Sequence, residues 1–130
     1  MRRIIFVFLM MVYSVSWAEW EHTGEAFEFS AYHDKSTRRR NGSVVKMWTM
    51  KDFPQVQNQA GDTYKSAKIM YAFDCKQETF AIISFSRHAG KMGGGSAVYA
   101  HTVKEKDWDW APIIPESVAE INWGIACGRE

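Results

Sequence analysis

The sequence predicts an α+β domain in which about six antiparallel strands form a sheet and one C-terminal helix packs on one of its faces. Most of the chain alternates apolar and polar residues with the period of a strand, and turn signals separate these segments. Only Pro115–Gly128 spaces its apolar residues three and four apart, as a helix does. Because the connections between strands are hairpin-sized, we expect antiparallel pairing. The helix is then the only element available to cover a face of the sheet.

Residues 1–18 are expected to be a secretory signal peptide. Two arginines follow the first methionine, Ile4–Val12 is an unbroken apolar run, and Ser16 and Ala18 place small residues before a cleavage point. The alternative is an N-terminal anchor that is never cut, although the apolar run is short for a membrane span. We therefore predict export, no stable membrane span after cleavage, and a single mature domain over residues 19–130.

The first strand region is the alternating segment Trp20–Tyr32, which predicts one strand, or two strands with a break at Gly24. Three of its apolar side chains are predicted to face the same side: Phe27, Phe29 and Ala31. The polar segment His33–Ser36 follows and is predicted to be a turn. In that turn Asp34 is well suited to bond nearby backbone groups.

The next strand is predicted over Val44–Met50, after a hairpin turn. Asn41 and Gly42 form one of the strongest short-range hairpin signals. With Ser43 they also match the glycosylation sequon, and we favour the turn. The segment Phe53–Thr63 has no clear period and is predicted to be a long loop.

The second half of the chain begins with the best hairpin signal of the sequence. Tyr64–Cys75 and Thr79–Arg87 alternate well, and the polar residues Lys76–Glu78 can turn the chain between them. The glycine-rich segment His88–Ser96 is predicted to be a flexible or sharply turned loop. It leads to a further strand, Ala97–Val103.

The terminal helix has signals at both of its ends. Ser117 and Glu120 fit a capping box, in which each side chain bonds the otherwise unpaired amide of the other residue. Gly128 suits the left-handed residue that ends a helix. The apolar stripe predicted to face the sheet consists of Val118, Ile121 and Ile125. We further hypothesise that Gly124 permits close approach of the helix to the sheet.

The two cysteines, Cys75 and Cys127, are predicted to form a disulfide that joins the helix to the sheet, because an exported chain meets an oxidising environment. Two free thiols are the alternative. The bond would close a loop of about 52 residues, which stabilises the fold by roughly 4 kcal/mol in the chain-entropy treatment.

Composition and spacing argue against several classes of function. Without the two N-terminal arginines, 14 basic residues face 15 acidic ones, so bulk electrostatic binding of nucleic acid is not expected. The four histidines show no ligand spacing, and no nucleophile motif appears. We therefore predict no metal, no cofactor and no enzymatic activity.

Two features could bind a partner. Arg38, Arg39 and Arg40 lie beside the predicted turn, either as a solvated tip or as a contact for an acidic partner or a sulfated polysaccharide. Trp108 and Trp110 lie among charged residues, either capping the edge of the core or serving as exposed binding anchors.

The order of short motifs along the mature chain is informative as a set. It comprises Asp34-Lys35-Ser36 with basic residues and Gly42 after it, Val45-Lys46-Met47-Trp48, Tyr64-Lys65-Ser66 leading to Asp74-Cys75, the glycine-rich stretch, the Trp108 and Trp110 region, Pro115-Glu116-Ser117 and Ala126-Cys127-Gly128. This set, which spans about Trp20 to Gly128, resembles the surface-adhesin protein E family of Gram-negative bacteria. The resemblance implies an exported antiparallel sheet with a C-terminal helix tethered by the disulfide. It also implies binding of host matrix and serum proteins at the cell surface.

The chain departs from that family in one respect. The family's adhesin is a lipoprotein anchored through an N-terminal cysteine, which is missing here. We therefore expect an exported adhesin-like protein without a lipid anchor, in the periplasm, at the cell surface or secreted, that recognises a protein partner such as a host matrix or serum protein. The alternative is a soluble periplasmic structural protein, or one with a small-ligand cleft between helix and sheet. Either interpretation allows a homodimer.

Overall fold

The computed structural model describes residues 19–129 and confirms the predicted fold class. The strands and the helix are, in chain order, β1 (Glu21–Glu25), β2 (Ser30–Asn41), β3 (Val44–Gln59), β4 (Asp62–Asp74), β5 (Thr79–His88), β6 (Ala97–Thr102), β7 (Ala111–Pro112) and α1 (Val118–Cys127). The predicted signal peptide lies outside the described residues. Within them, no helix is both long and apolar enough to cross a bilayer.

The sheet is a meander in which each strand pairs with the one before it, from β1 to β6, and every pair is antiparallel. The two-residue strand β7 adds a seventh member. It pairs with Thr79 and Phe80 at the start of β5, whereas β6 pairs with Ser84–His88 at its other end. Both short strands therefore lie along one edge of β5, and the chain passes from that edge to the helix.

The main core lies between the helix and one face of the sheet, here called the inner face. Val45, Met47 and Phe73 are almost completely buried there against Trp123 and Ala126. Alternation along β3 and β4 places these side chains on one side, as the pattern predicts. The disulfide between Cys75 and Cys127 is present, and it joins the end of β4 to the end of α1.

The face that the helix turns toward the sheet matches the prediction at Ile125, which is buried, and differs from it at Ile121. Ile121 is 45% exposed, whereas Asn122 and Trp123 are buried. The disulfide at Cys127 and a hydrogen bond from the Trp123 indole to the carbonyl of Asp74 (3.0 Å) fix the rotation of the helix. Because Trp123 buries more area than an isoleucine, the large ring takes the inner position and Ile121 moves to the margin.

The ends of the helix confirm the Ser117 half of the predicted capping box and the glycine that ends the helix. The other half differs, because the carboxylate of Glu120 accepts from the amide of Glu116 (3.4 Å) and not from that of Ser117. The hydroxyl of Ser117 accepts a hydrogen bond from the amide of Glu120 (3.2 Å), and Gly128 has a φ of 72°. The hypothesis about Gly124 is wrong. A Cβ at that position would lie 3.3 Å from the carbonyl oxygen of Arg129, and no atom of the sheet lies within 4 Å. The glycine accommodates the chain that folds back after the helix.

Two segments predicted to be irregular are parts of strands. The predicted turn His33–Ser36 lies inside β2, at a bulge between Asp34 and Arg39. Asp34 does bond the backbone, accepting from the amide of Ser36 (3.1 Å), but the chain continues instead of reversing. A bulge absorbs the extra residues while the ladder resumes on both sides.

The predicted loop Phe53–Thr63 is mostly a hairpin arm. Strand β3 continues to Gln59, turns at Ala60 and Gly61 and pairs back with β4. Backbone bonds and an edge-to-face contact of the Phe53 and Tyr64 rings (5.8 Å) stabilise this end without an apolar period. Pro54 is tolerated because it lies where the register shifts.

The break in the first predicted strand is also displaced. The chain turns over residues 26–29, where the amide of Ala26 donates to the carbonyl of Phe29 (2.9 Å), and Gly24 instead follows a bulge in β1. Phe27 therefore does not face the sheet with its neighbours. It lies in the turn and is fully exposed.

Candidate binding surface

The opposite face of the sheet, here called the outer face, carries a groove of about 470 Å³. Its lining residues are Arg39, Arg40, Asn41, Val44, Lys46, Glu105, Trp108 and Trp110. Four of the five residues that the sequence singled out as candidate partner contacts therefore lie around one concavity. We call it the basic–aromatic groove.

The three consecutive arginines do not act together. Arg39 pairs with Lys46 across β2 and β3, on the outer face, and its side chain bonds the carbonyls of Ser36 and Arg38. The side chain of Arg38 instead donates to the carbonyl of Ile125 (3.1 Å). A cation at the last turn of a helix satisfies an unpaired carbonyl and interacts favourably with the helix dipole. Arg38 is thus a contact to the helix rather than part of the groove.

The two tryptophans form the other wall of the groove. Their rings meet edge to face at 6.1 Å, and the Trp108 indole donates to the carbonyl of Val103 (3.1 Å). Trp108 is partly buried, whereas Trp110 is 39% exposed. Pairing of β7 with β5, and a bond from the amide of Ile113 to the carbonyl of Glu78 (3.0 Å), fix the chain beyond them. The indoles are therefore held by backbone pairing.

The groove has a surplus of positive charge. Three of its residues are cationic and only Glu105 is anionic. None of the ion pairs described for residues 19–129 involves Arg39, Arg40 or Lys46. The Lys46 ammonium lies 5.3 Å from the centre of the Trp108 ring, a cation–π arrangement. These cations are available to an anionic ligand.

Sequence reasoning missed four lining residues of the groove as partner contacts: Asn41, Val44, Lys46 and Glu105. Lys46 was detectable in principle, because it alternates with the buried residues of β3 and must face the outer side. Its position beside Trp108 was not, because that contact joins residues 62 positions apart in the chain.

A second concavity lies between the first half of α1 and the inner face, with a volume of about 570 Å³. Its walls include Phe29, Tyr71, Phe73 and Phe80. Burial raises the pKa of Tyr71 to about 12 and lowers the pKa of Lys51, whose side chain also lines this cleft. We call it the helix–sheet cleft.

No set of three His, Cys, Asp or Glu side chains is placed to hold a metal ion within residues 19–129. His22 bonds Glu25, and His33 bonds Thr23, so these two histidines have neighbouring partners. Both concavities have linings that combine charged and aromatic side chains.

Comparison with known proteins gives a family and a fold. Residues 17–128 match the family described as Surface-adhesin protein E. None of the curated proteins compared with the chain matches it. Among solved structures, crystal form II of Haemophilus influenzae protein E is 10% identical with a TM-score of 0.59, covering 75% of this chain and 80% of that one. Protein E from non-typeable Haemophilus influenzae is 9% identical with a TM-score of 0.60, covering 88% and 79%.

Proposed function

The chain belongs to the surface-adhesin protein E family, and from this premise we propose that it is an exported adhesin-like protein that binds a protein partner through the basic–aromatic groove. The partner class that we propose is a host extracellular-matrix or serum protein. The proposed location is the periplasm or the outside of the cell, after removal of residues 1–18, and the proposed activity is binding without catalysis.

One observation carries this proposal: cations without described ion pairs lie beside two indoles that backbone pairing holds in place. Arginine and tryptophan are the residue types most enriched among those that dominate binding energy. A rigid wall also limits the entropy lost on association. A partner segment that combines carboxylates with an apolar or aromatic side chain complements both walls, because the charges steer the encounter and the rings supply the buried area.

The test measures binding of the mature domain to immobilised matrix and serum proteins. Trp110→Ala is expected to weaken binding by about tenfold or more. The double variant Arg39→Ser and Arg40→Ser is expected to weaken it and to reduce its dependence on salt. Phe27→Ala and Lys65→Ser are matched controls, since both residues are exposed and outside the groove.

Two results would contradict the proposal. The first is that no matrix or serum protein binds the domain at micromolar concentration. The second is that groove variants and control variants bind equally well.

The helix–sheet cleft favours a second candidate function, capture of a small apolar acid. The Lys51 ammonium lies 4.6 Å from the centre of the Phe29 ring at an aromatic-lined cleft, and no ion pair involving it is described within residues 19–129. A carboxylate with an apolar tail would supply both the missing charge and the apolar surface. Displacement of a fluorescent naphthalene sulfonate by decanoate tests this, and Lys51→Met is expected to abolish the displacement. Equal displacement by the variant would exclude the role of Lys51.

A further inference from the structure

Asp34 is a buried carboxylate near the start of the described chain. The residue is only 3% exposed, and it lies on β2 where the strand bulges. One carboxylate oxygen accepts from the amide and the hydroxyl of Ser36. The other accepts from the backbone nitrogen of Glu19 at 3.2 Å. The carboxylate is therefore bonded on both oxygens, and one of the donors is the nitrogen of residue 19.

This carboxylate has no cationic partner within residues 19–129. None of the described ion pairs includes Asp34. Lys68 lines the same small concavity as Asp34, about 350 Å³ in volume, but forms no described ion pair with it. Burying a carboxylate without a cation is costly, because an amide or hydroxyl donor replaces only part of its hydration. The carboxylate of Asp34 is well bonded but lacks a counter-charge. A cation that arises only when the chain is cleaved could supply that charge.

The sequence supplies such a form. Ala18 is the residue after which the predicted cleavage falls, so Glu19 would become the first residue of the mature chain. Hydrolysis of that peptide bond consumes one water, leaves a carboxylate on Ala18 and leaves an amine on Glu19 that takes up a proton. The nitrogen that now donates one hydrogen bond as an amide would then be an ammonium with three donors, at the same atom.

We propose that Asp34 is the binding site for the chain's own new amino terminus, formed by a cut between Ala18 and Glu19. This inference rests on the export part of the proposed function, but it is independent of any partner. The resulting ion pair would be largely desolvated on its carboxylate side, where such pairs are stronger than at the surface. Trp20 follows at once and lines the cleft beside Asp34, together with Trp48. The ammonium and this indole would together fasten the terminus to the outer face.

The first measurement is the N-terminal sequence of the protein after expression and export in a Gram-negative bacterium. We expect Glu19 as the first residue, and any other first residue would overturn the proposal. The second measurement compares a protein that begins at Glu19 with one that carries Gly-Ser before it. Tm is expected to be about 4 °C higher when the α-amine is on Glu19 than when it is on the added Gly, and this difference is expected to disappear in Asp34→Asn. Asp109→Asn serves as the exposed control.

Equal Tm values for the two termini, or a difference that persists undiminished in Asp34→Asn, would also overturn the proposal. Should Asp34→Asn fail to fold, the acylation rate of the α-amine in the unaltered protein decides the matter. We expect it to be about tenfold slower in the folded chain than in the unfolded one, while exposed Lys65 reacts at similar rates in both. An α-amine that reacts equally fast in both states contradicts the ion pair. None of these assays contains a partner protein, so they succeed or fail independently of adhesion.

Discussion

At the scale of the residue, single side-chain hydrogen bonds determine which groups face which side. The Trp123 indole bond to the Asp74 carbonyl sets the rotation of the helix, and the Trp108 bond to the Val103 carbonyl sets one wall of the groove. Both are bonds from a large apolar ring to a backbone group, so each ring is fixed in orientation as well as buried. Periodicity alone could not have indicated either bond.

Trp123→Phe tests the first of these bonds. The variant keeps an aromatic ring but removes the indole donor, so the carbonyl of Asp74 retains only its bond from the amide of Glu78 (3.0 Å). Because that carbonyl keeps one donor, we expect a loss of roughly 0.5–1.5 kcal/mol in the free energy of unfolding, measured by denaturant titration. Trp110→Phe is the control, because no hydrogen bond from its indole is described within residues 19–129. An equal loss in both variants would contradict the assigned role.

His88 provides a pH-dependent prediction. It is buried, its Nε2 lies 2.8 Å from the hydroxyl of Ser86, and its Nδ1 has no partner within the described residues. Burial first, and then the charge of Lys68, lower the pKa of His88 below 6.5. The unfolded chain therefore binds more protons below pH 6.5, so this contribution to stability is complete above that pH and is lost as the pH falls toward the folded-state pKa.

The measurement for His88 is the free energy of unfolding between pH 7.5 and pH 5, together with an NMR titration of the ring. The decrease on acidification is expected to be smaller in His88→Gln than in the unaltered protein. His101, which is exposed on β6, serves as the control through His101→Gln. A titration of His88 above pH 6.5 would reverse the sign and contradict the prediction.

At the scale of the element, the sequence predicted strands well where burial alternates and poorly where backbone pairing alone maintains them. Val44–Met50 and Tyr64–Cys75 alternate because one face of each lies under the helix. Phe53–Thr63 has no such face, because this end of the β3–β4 hairpin extends beyond the helix and the neighbouring strands. Its strand character comes from cross-strand bonds, which leave no apolar period to detect. The groove was missed for a related reason, since it joins elements that are distant in sequence.

The glycine-rich loop is an element that the pattern located correctly and that proves to be sharply turned. The amides of Met92 and Gly93 donate to the side chains of Asp52 and Ser66 (2.8 Å each), which fastens the loop onto β3 and β4. Gly90 packs against its own loop, because an added Cβ would lie 2.9 Å from the backbone carbon of Gly94. The loop is thus closed by backbone contacts in which a side chain has no room.

Gly90→Ala is accordingly expected to destabilise the protein by about 1–3 kcal/mol, as overpacking does. The variant should also accelerate hydrogen exchange at the amide of Gly93. Ser96→Ala introduces an alanine into the same loop at an exposed position, and we expect little change from it. Normal exchange at Gly93 in the first variant would show that the loop can relax.

At the scale of the whole molecule, the disulfide joins the two parts that form the inner core. It links residues 52 apart in sequence, from the end of strand β4 to the last turn of the helix. Apart from the disulfide, only noncovalent contacts of α1, a helix of ten residues, hold it on the sheet. The disulfide therefore contributes a large share of the free energy of unfolding of a domain of this size.

Replacing both cysteines by alanine is expected to lower the free energy of unfolding by roughly 4 kcal/mol. The unaltered protein in excess reductant should show a similar loss, whereas the double variant should be insensitive to reductant. Denaturant titrations of the four samples measure this. Equal stability of the oxidised protein and the variant would show that the helix packs without its covalent link.

The projecting end of the β3–β4 hairpin has a consequence for protein engineering. Beyond Asp52 and Ser66 the two arms pair only with each other, and the turn at Ala60 and Gly61 is exposed. Within residues 19–129, Phe29 and Arg87 contact the arms at Phe53 and Tyr64, and none of the other strands pairs with the turn itself. A foreign epitope inserted between Ala60 and Gly61 would be displayed on a stalk, with the helix, the groove and the disulfide left unaltered.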